Sequence, residues 1–264
     1  MQNFVREAGL LAVASLAFPN LTEVDPQTHV IRQFSVWKSF ASADERSEQS
    51  DALVAEFVAL CWRYWAPRAL PEYPVVVKVS NDPGPSVTML RSSDGQAADS
   101  LTSRLPPIYR WEMPDLGEVI FDASLAPEFR AWRDNLDPPG TVAAYLDKVV
   151  TVSGVAAVAQ SAFPELIEVD DHILIKDQYN EKTFNDWLPS LKGDRGAAER
   201  TVNHFVVWDH LYGSEHDDEA DEQAAEFIAL CWRYWFHDQY PDRRFQVSII
   251  DQYGPTVTVY ELRD

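Results

Sequence analysis

The chain is poor in cysteine, glycine and basic side chains. Two cysteines, Cys61 and Cys231, occur in 264 residues. That is too few for a disulfide-stapled scaffold and fits a reducing, cytoplasmic setting. Ten glycines build no phosphate-cradling loop: there is no P-loop and no Gly-x-Gly-x-x-Gly turn. The Gly-x-Ser-x-Gly and His-Glu-x-x-His patterns are missing too, so no cofactor and no catalytic motif is read from the sequence. No apolar run reaches the roughly 18 residues of a membrane span. Lys and Arg total 22 against 42 Asp and Glu, a formal charge of −20. Such a surface repels phosphate backbones and anionic bilayers, which argues against direct nucleic-acid or membrane contact.

Apolar side chains are plentiful, at 46% of the chain, and nine Trp and thirteen Phe are among them. Disordered chains lack aromatics, and this length can bury a core. The N-terminal stretch from Arg6 to Phe18 resembles a short leader peptide. Gly154 to Phe163 repeats its pattern in mid-chain, where no leader can lie, so both read as helices of the fold.

That match belongs to a longer one. Ala17-Phe-Pro-Asn-Leu-Thr-Glu-Val24 pairs with Ala162-Phe-Pro-Glu-Leu-Ile-Glu-Val169. Phe34-x-Val36-Trp37 pairs with Phe205-x-Val207-Trp208. The segments Ala55 to Trp65 and Ala225 to Trp235 differ only at Val58/Ile228, and Gly84-Pro85 pairs with Gly254-Pro255 at the same offset. The order and spacing predict a tandem duplication, with two similar globular units in a pseudo-twofold relation. Repeat 1 spans residues 1–91 and repeat 2 spans 141–264, with a partly structured connector over 92–140. Repeat 2 carries about 26 additional residues between Val169 and Phe205. The connector aligns with that insertion without a gap: Ile120, Asp122, Phe129, Trp132 and Leu136 fall on Ile175, Asp177, Phe184, Trp187 and Leu191.

Each unit is expected to begin with a helix ending at the Phe-Pro step, since proline disfavours helix in the preceding residue. Strands follow, over 21–24 and 166–175, and then over the Phe-x-x-Trp segments. A long helix comes next, over 50–65 and 218–235. An alternating hairpin closes the unit, 74–79 with 86–90 and 245–250 with 256–260. In the connector, 117–121 reads as a strand and 126–136 as a helix; 181–191 in the insertion reads as a short helix. The fold class is α+β, a helix–strands–helix–hairpin unit with an antiparallel sheet. On the long helix Leu53, Phe57, Leu60, Cys61 and Tyr64 line one buried face, and Val58, Trp62 and Trp65 widen it. A helix apolar around most of its girth needs cover on two sides, so Trp62, Trp65, Trp232 and Trp235 are expected at a repeat–repeat contact.

Cys61 and Cys231 fall on that buried face with no activating base at helical spacing, and read as small apolar residues. Glu56 with Arg63, and Glu226 with Arg233, read as surface ion pairs. The acidic run is the main functional hint. Asp209, Glu215, Asp217, Asp218, Glu219, Asp221, Glu222 and Glu226 occur before Trp232 with no intervening Lys or Arg. Residues 141–264 hold 23 acids and 10 bases, against 10 and 7 in residues 1–90. First-turn carboxylates complement a helix dipole, which covers part of the run. The surplus predicts a negative face on repeat 2, with Asp209, Glu215, Asp217, Asp218, Glu219, Asp221 and Glu222 available to a basic protein surface. The expected function is therefore a non-catalytic binding protein: an inhibitor, an immunity factor or a mimic of nucleic-acid charge. Two alternatives stand beside it. One is a metal-dependent or acid–base enzyme using His204, Asp209, His210 and His216, a set absent from the first copy. The other is a structural or assembly subunit.

Overall fold

The computed structural model describes residues 6–21, 28–40, 47–82, 84–92, 121–211, 217–251 and 253–263. Among them are ten α-helices and three small antiparallel sheets. The chain divides into two compact units. The first consists mainly of residues 8–157 and the second of residues 158–264.

In the first unit α1 (Glu7–Ala17) is followed by β1 (Val30–Ser35), a four-residue turn of helix α2 (Val36–Ser39) and the long helix α3 (Glu48–Ala69). The hairpin β2 (Val75–Ser80) and β3 (Ser86–Arg91) comes next. Ser47 starts α3 through a capping box with Ser50, which satisfies two helix-start donors at once. Strand order is β1-β3-β2, so the last strand in sequence lies in the middle. It pairs Val87 with Phe34 on one side and with Val79 on the other. Val87 and Met89 are fully buried on this central strand, and α3 packs against β2 and β3. Phe34 lies in β1, but Trp37 lies on α2 rather than in the strand the sequence predicts. Leu53, expected in the core, is exposed.

The connector folds onto this unit. A short 3-10 turn, Ala123–Leu125, leads into α4 (Pro127–Asp134), whose first position is proline as the sequence predicts. Phe121 packs on Phe18 at 5.7 Å between ring centroids, and Glu128 Oε1 accepts a hydrogen bond from the Ala8 amide. Helix α5 (Val142–Lys148) packs against α2. Phe121 is not in a strand; the remainder of the strand expected at 117–121 lies outside the described residues, as do most of residues 21–24.

The break between the units falls inside α6 (Val152–Ala162). The second unit continues with the hairpin β4 (Leu166–Val169) and β5 (His172–Ile175), turned by Asp170 and Asp171, both at positive φ. The insertion supplies α7 (Glu181–Trp187) and α8 (Arg195–Val202). Then come β6 (His204–Val206), α9 (Val207–His210), α10 (Asp218–Gln239), β7 (Arg244–Asp251) and β8 (Pro255–Leu262). The sheet order β6-β8-β7 again puts the last strand in the middle, with Val257 between Phe205 and Ile249. Both long helices have 22 residues. Asp217 caps α10 by accepting from the Glu219 and Ala220 amides.

Two tryptophans tie each long helix to the helix before its Phe-Pro step. Trp62 Nε1 donates to Leu16 O at 3.1 Å and Trp65 Nε1 to Pro19 O at 2.9 Å. Trp232 Nε1 donates to Ser161 O at 2.9 Å and Trp235 Nε1 to Pro164 O at 2.7 Å. Phe18 meets Trp65 edge to face at 5.7 Å, and Phe163 meets Trp235 at 5.5 Å. All four indole N–H groups, expected from the sequence beside a repeat–repeat contact, are thus taken up within their own units.

The insertion brings a core of its own. Leu174, Phe184, Ala198 and Val202 are buried together, with Ile167, Val169, Tyr179, Leu188 and Leu191 packed around them. Asn203 stitches this layer to the sheet. Its Oδ1 accepts from Ile175 N at 2.8 Å, and its Nδ2 donates to Ile173 O at 2.8 Å and to Val259 O at 3.3 Å. Each buried backbone group left without its partner costs about 1–3 kcal/mol. Asn203→Ala should therefore lower stability by about 3 kcal/mol or more, read as a fall in the urea midpoint. Asn203→Asp should also destabilise, because a carboxylate cannot donate to Ile173 O.

Candidate functional site

Two places in the second unit concentrate polar chemistry. One is buried. Glu199, on α8, is fully buried. Its Oε2 accepts from the Glu261 amide at 2.7 Å and its Oε1 from Arg263 Nη2 at 3.0 Å. His172 Nδ1 approaches Glu199 Oε1 to 3.3 Å but makes no hydrogen bond, and its ring meets Phe184 edge to face. Around this pair Arg195 bridges to Asp171, Arg243 to Glu168 and Glu261, and Arg263 to Glu261. Burial pushes the His172 imidazole below its ordinary range, and Arg263 and Arg195 push it further. Burial pushes the Glu199 carboxyl up, opposed by the Glu261 amide and Arg263. For His172, burial and the two arginines both disfavour the imidazolium form. The cluster fixes α8, β5 and the end of β8, with its imidazole and carboxylate closed off from solvent.

The other place is the surface around α9 and the start of α10. Trp208 is 45% exposed, although its Nε1 donates to Asp221 Oδ2 at 2.7 Å. Its ring lies against Gly254, at positive φ, where a Cβ would come within 2.6 Å of Cε2. Asp221 departs from the sequence expectation: it is 1% exposed and spends its carboxylate on the indole, so it is not part of a surface open to a partner. Asp209, Asp218, Glu219 and Glu222 are exposed, and Asp217 is half-buried at the cap. Glu215 and His216 lie outside the described residues.

The described histidines near this surface, His204 and His210, are exposed and each bonds a nearby backbone carbonyl. His204 Nδ1 lies 3.0 Å from Thr201 O, and His210 Nδ1 lies 2.9 Å from Val206 O. A carbonyl only accepts, so both nitrogens carry the proton. The His210 ring stacks on Phe205 at 4.1 Å. Among the described residues no three His, Cys, Asp or Glu side chains gather so as to hold a metal ion. Cys61 and Cys231 are both free and buried.

The sequence pattern points to neither the Glu199–His172–Arg263 cluster nor the role of Asn203. The Trp208–Asp221 pair had a signal available: Trp37 and Asp51 stand at the aligned positions of the first unit. No family profile, no curated protein and no solved structure matches this chain. No single described helix is long and apolar enough to cross a membrane.

The buried imidazole gives a signed pH dependence. Its folded pKa lies below the unfolded value of about 6.5, so its neutral form costs nothing above that pH and stability is lost as pH falls through it. Glu199 acts in the opposite sense, since its raised value favours the folded state as pH falls toward the ordinary carboxyl range. His172→Gln should be less stable than the parent chain at about pH 7.5, and its deficit should shrink between about pH 7 and 5.5. Urea unfolding followed by tryptophan fluorescence checks this; a deficit constant with pH would contradict a neutral buried imidazole.

Proposed function

We propose that the chain is a tandem duplication whose second copy serves as a non-catalytic acidic binding surface for a basic protein partner. The carrying observation is that Asp209, Asp218, Glu219 and Glu222 are exposed and have no Lys or Arg at ion-pair distance among the described residues. Most of the unit's own cations are committed elsewhere. Lys176 pairs with Glu165, Lys182 with Asp186, Arg195 with Asp171, and Arg243 and Arg263 sit in the buried network's rim. Arg200 lies over the Tyr260 ring. The acidic surface is thus left with a field that steers and holds a cationic surface.

The mechanism is competition. Carboxylates of the second unit take the positions that phosphates or other acidic ligands would take on the partner, as in an inhibitor or a charge mimic. The free thiols fit action in the cytoplasm.

An immobilised arginine-rich peptide tests the reading. The protein should be retained at about 50 mM salt and released by about 500 mM, because the attraction is screened over a Debye length. The fourfold variant Asp209→Asn, Asp218→Asn, Glu219→Gln, Glu222→Gln should lose retention, while an equal number of neutralised carboxylates in the first unit should not. Absence of retention of the parent chain at low salt would overturn the proposal.

A further inference from the structure

Corresponding positions in the two units carry the same exposed indole in opposite electrostatic settings. In the first, Trp37 on α2 is 45% exposed, and Lys38 Nζ sits 5.1 Å from its ring centroid. In the second, Trp208 on α9 is also 45% exposed, but the residue in the lysine's place is Asp209. The first unit therefore supplies its own ammonium to its indole, and the second sets a carboxylate there.

Trp208 is built as a rigid platform. The Asp221 bond holds one edge and the Gly254 backbone supports the ring, so little rotamer freedom is left to lose on binding. Tyr253, next to that glycine at the hairpin tip, is 82% exposed and adds a second aromatic surface. An aromatic face attracts a cation through its quadrupole, Trp most strongly. The exposed carboxylates of Asp209 and the first turns of α10 add to that attraction and disfavour a purely apolar or anionic occupant, which would have to desolvate or oppose them. A bare metal ion is not the occupant either, since these side chains do not converge on one point.

We infer that Trp208 anchors the acidic face by taking an arginine or lysine side chain of the basic partner over its exposed indole, in the place that Lys38 holds on Trp37. The inference rests on the acidic-face reading above and names the contact within it that gives specificity. Carboxylates at the rim set the rate of encounter, and the held indole sets how long the complex lasts.

The test uses the full-length chain labelled with 5-fluorotryptophan and an oligo-arginine peptide at low salt. Loss of a line in Trp208→Phe and in Trp37→Phe identifies the two fluorine resonances. The Trp208 line should shift saturably with peptide and the Trp37 line should not. Asp209→Lys gives the second indole its own ammonium, as in the first unit. It should weaken the peptide by about tenfold. Glu219→Lys makes the same change in charge at an exposed position on the opposite side of α10 from Asp221, and should cost only about two- to threefold. Both substitutions are at exposed positions, so the folded state is retained and a thermal melt verifies it. If the two lysine variants weaken the peptide equally, or the Trp208 line stays fixed while peptide binds, the indole is not the anchor, though the acidic-face reading survives. If the parent chain does not bind the peptide at all, both readings fall.

Discussion

Each unit depends on a bond between a tryptophan and the end of a helix. A helix leaves its last carbonyls without intrahelical donors, and the proline after Phe18 or Phe163 stops the chain from continuing to supply them. Those carbonyls face the long helix. Tryptophan suits this place because its N–H only donates and sits at the edge of a large apolar body. Two indoles three residues apart on α3 reach carbonyls three residues apart at Leu16 and Pro19, and the same spacing serves Ser161 and Pro164 on α10. One residue type thus supplies both the burial and the hydrogen bond that fix the angle between two helices. Replacing it with Phe would keep the burial and strand the carbonyl.

This explains which parts of the fold were legible in the sequence. The recurring words were Phe-Pro and Cys-Trp-Arg-Tyr-Trp, and they are the two halves of the clamp. The alternating hairpins were readable because Val87 and Val257 point into the core from a central strand, where period two is enforced. The destination of the tryptophans was not readable, because an apolar helix girth shows that cover is needed without showing what provides it. Leu53 was misplaced for a related reason. It matches the helical period, yet it lies in the second turn of α3, which starts at Glu48, and the second unit has Gln223 at the aligned position. Trp37 and Trp208 looked like strand residues because β-propensity cannot register a single turn of helix that a preceding strand runs into.

Of the candidate site, the charge was legible and its arrangement was not. An acidic run states how many carboxylates there are and leaves open which of them fold inward. Asp221 is inward because an indole 13 residues earlier needs an acceptor. Asn203 and Glu199 were passed over because a short amphipathic segment with Arg, Glu and Asn reads as surface. They are buried because the insertion lays a second apolar layer over β5, and every polar group under that layer must find a partner. Buried polar networks carry a high penalty when incomplete, which is why Glu199 collects an arginine and a backbone amide while Asn203 fills three strand positions.

The same insertion accounts for where the negative charge is left. Holding α8 against the sheet draws Arg195, Arg243 and Arg263 to one end of the unit, where they meet Asp171, Glu168, Glu199 and Glu261. Few cations are then left for the α10 end. The helix dipole stabilises carboxylates in its first turn and fades within that turn, so Asp218 and Glu219 gain from it while Glu222 and Asp209 gain little. The remaining mutual repulsion is a standing cost to the folded chain, largest at low salt. A cationic surface set against the α10 end would relieve that repulsion and place a guanidinium or ammonium where Trp208 is already held. In the first unit Lys38 relieves the equivalent ring from within. On the proposal above, Asp209 in the place of that lysine moves the source of the cation from the chain to a basic partner.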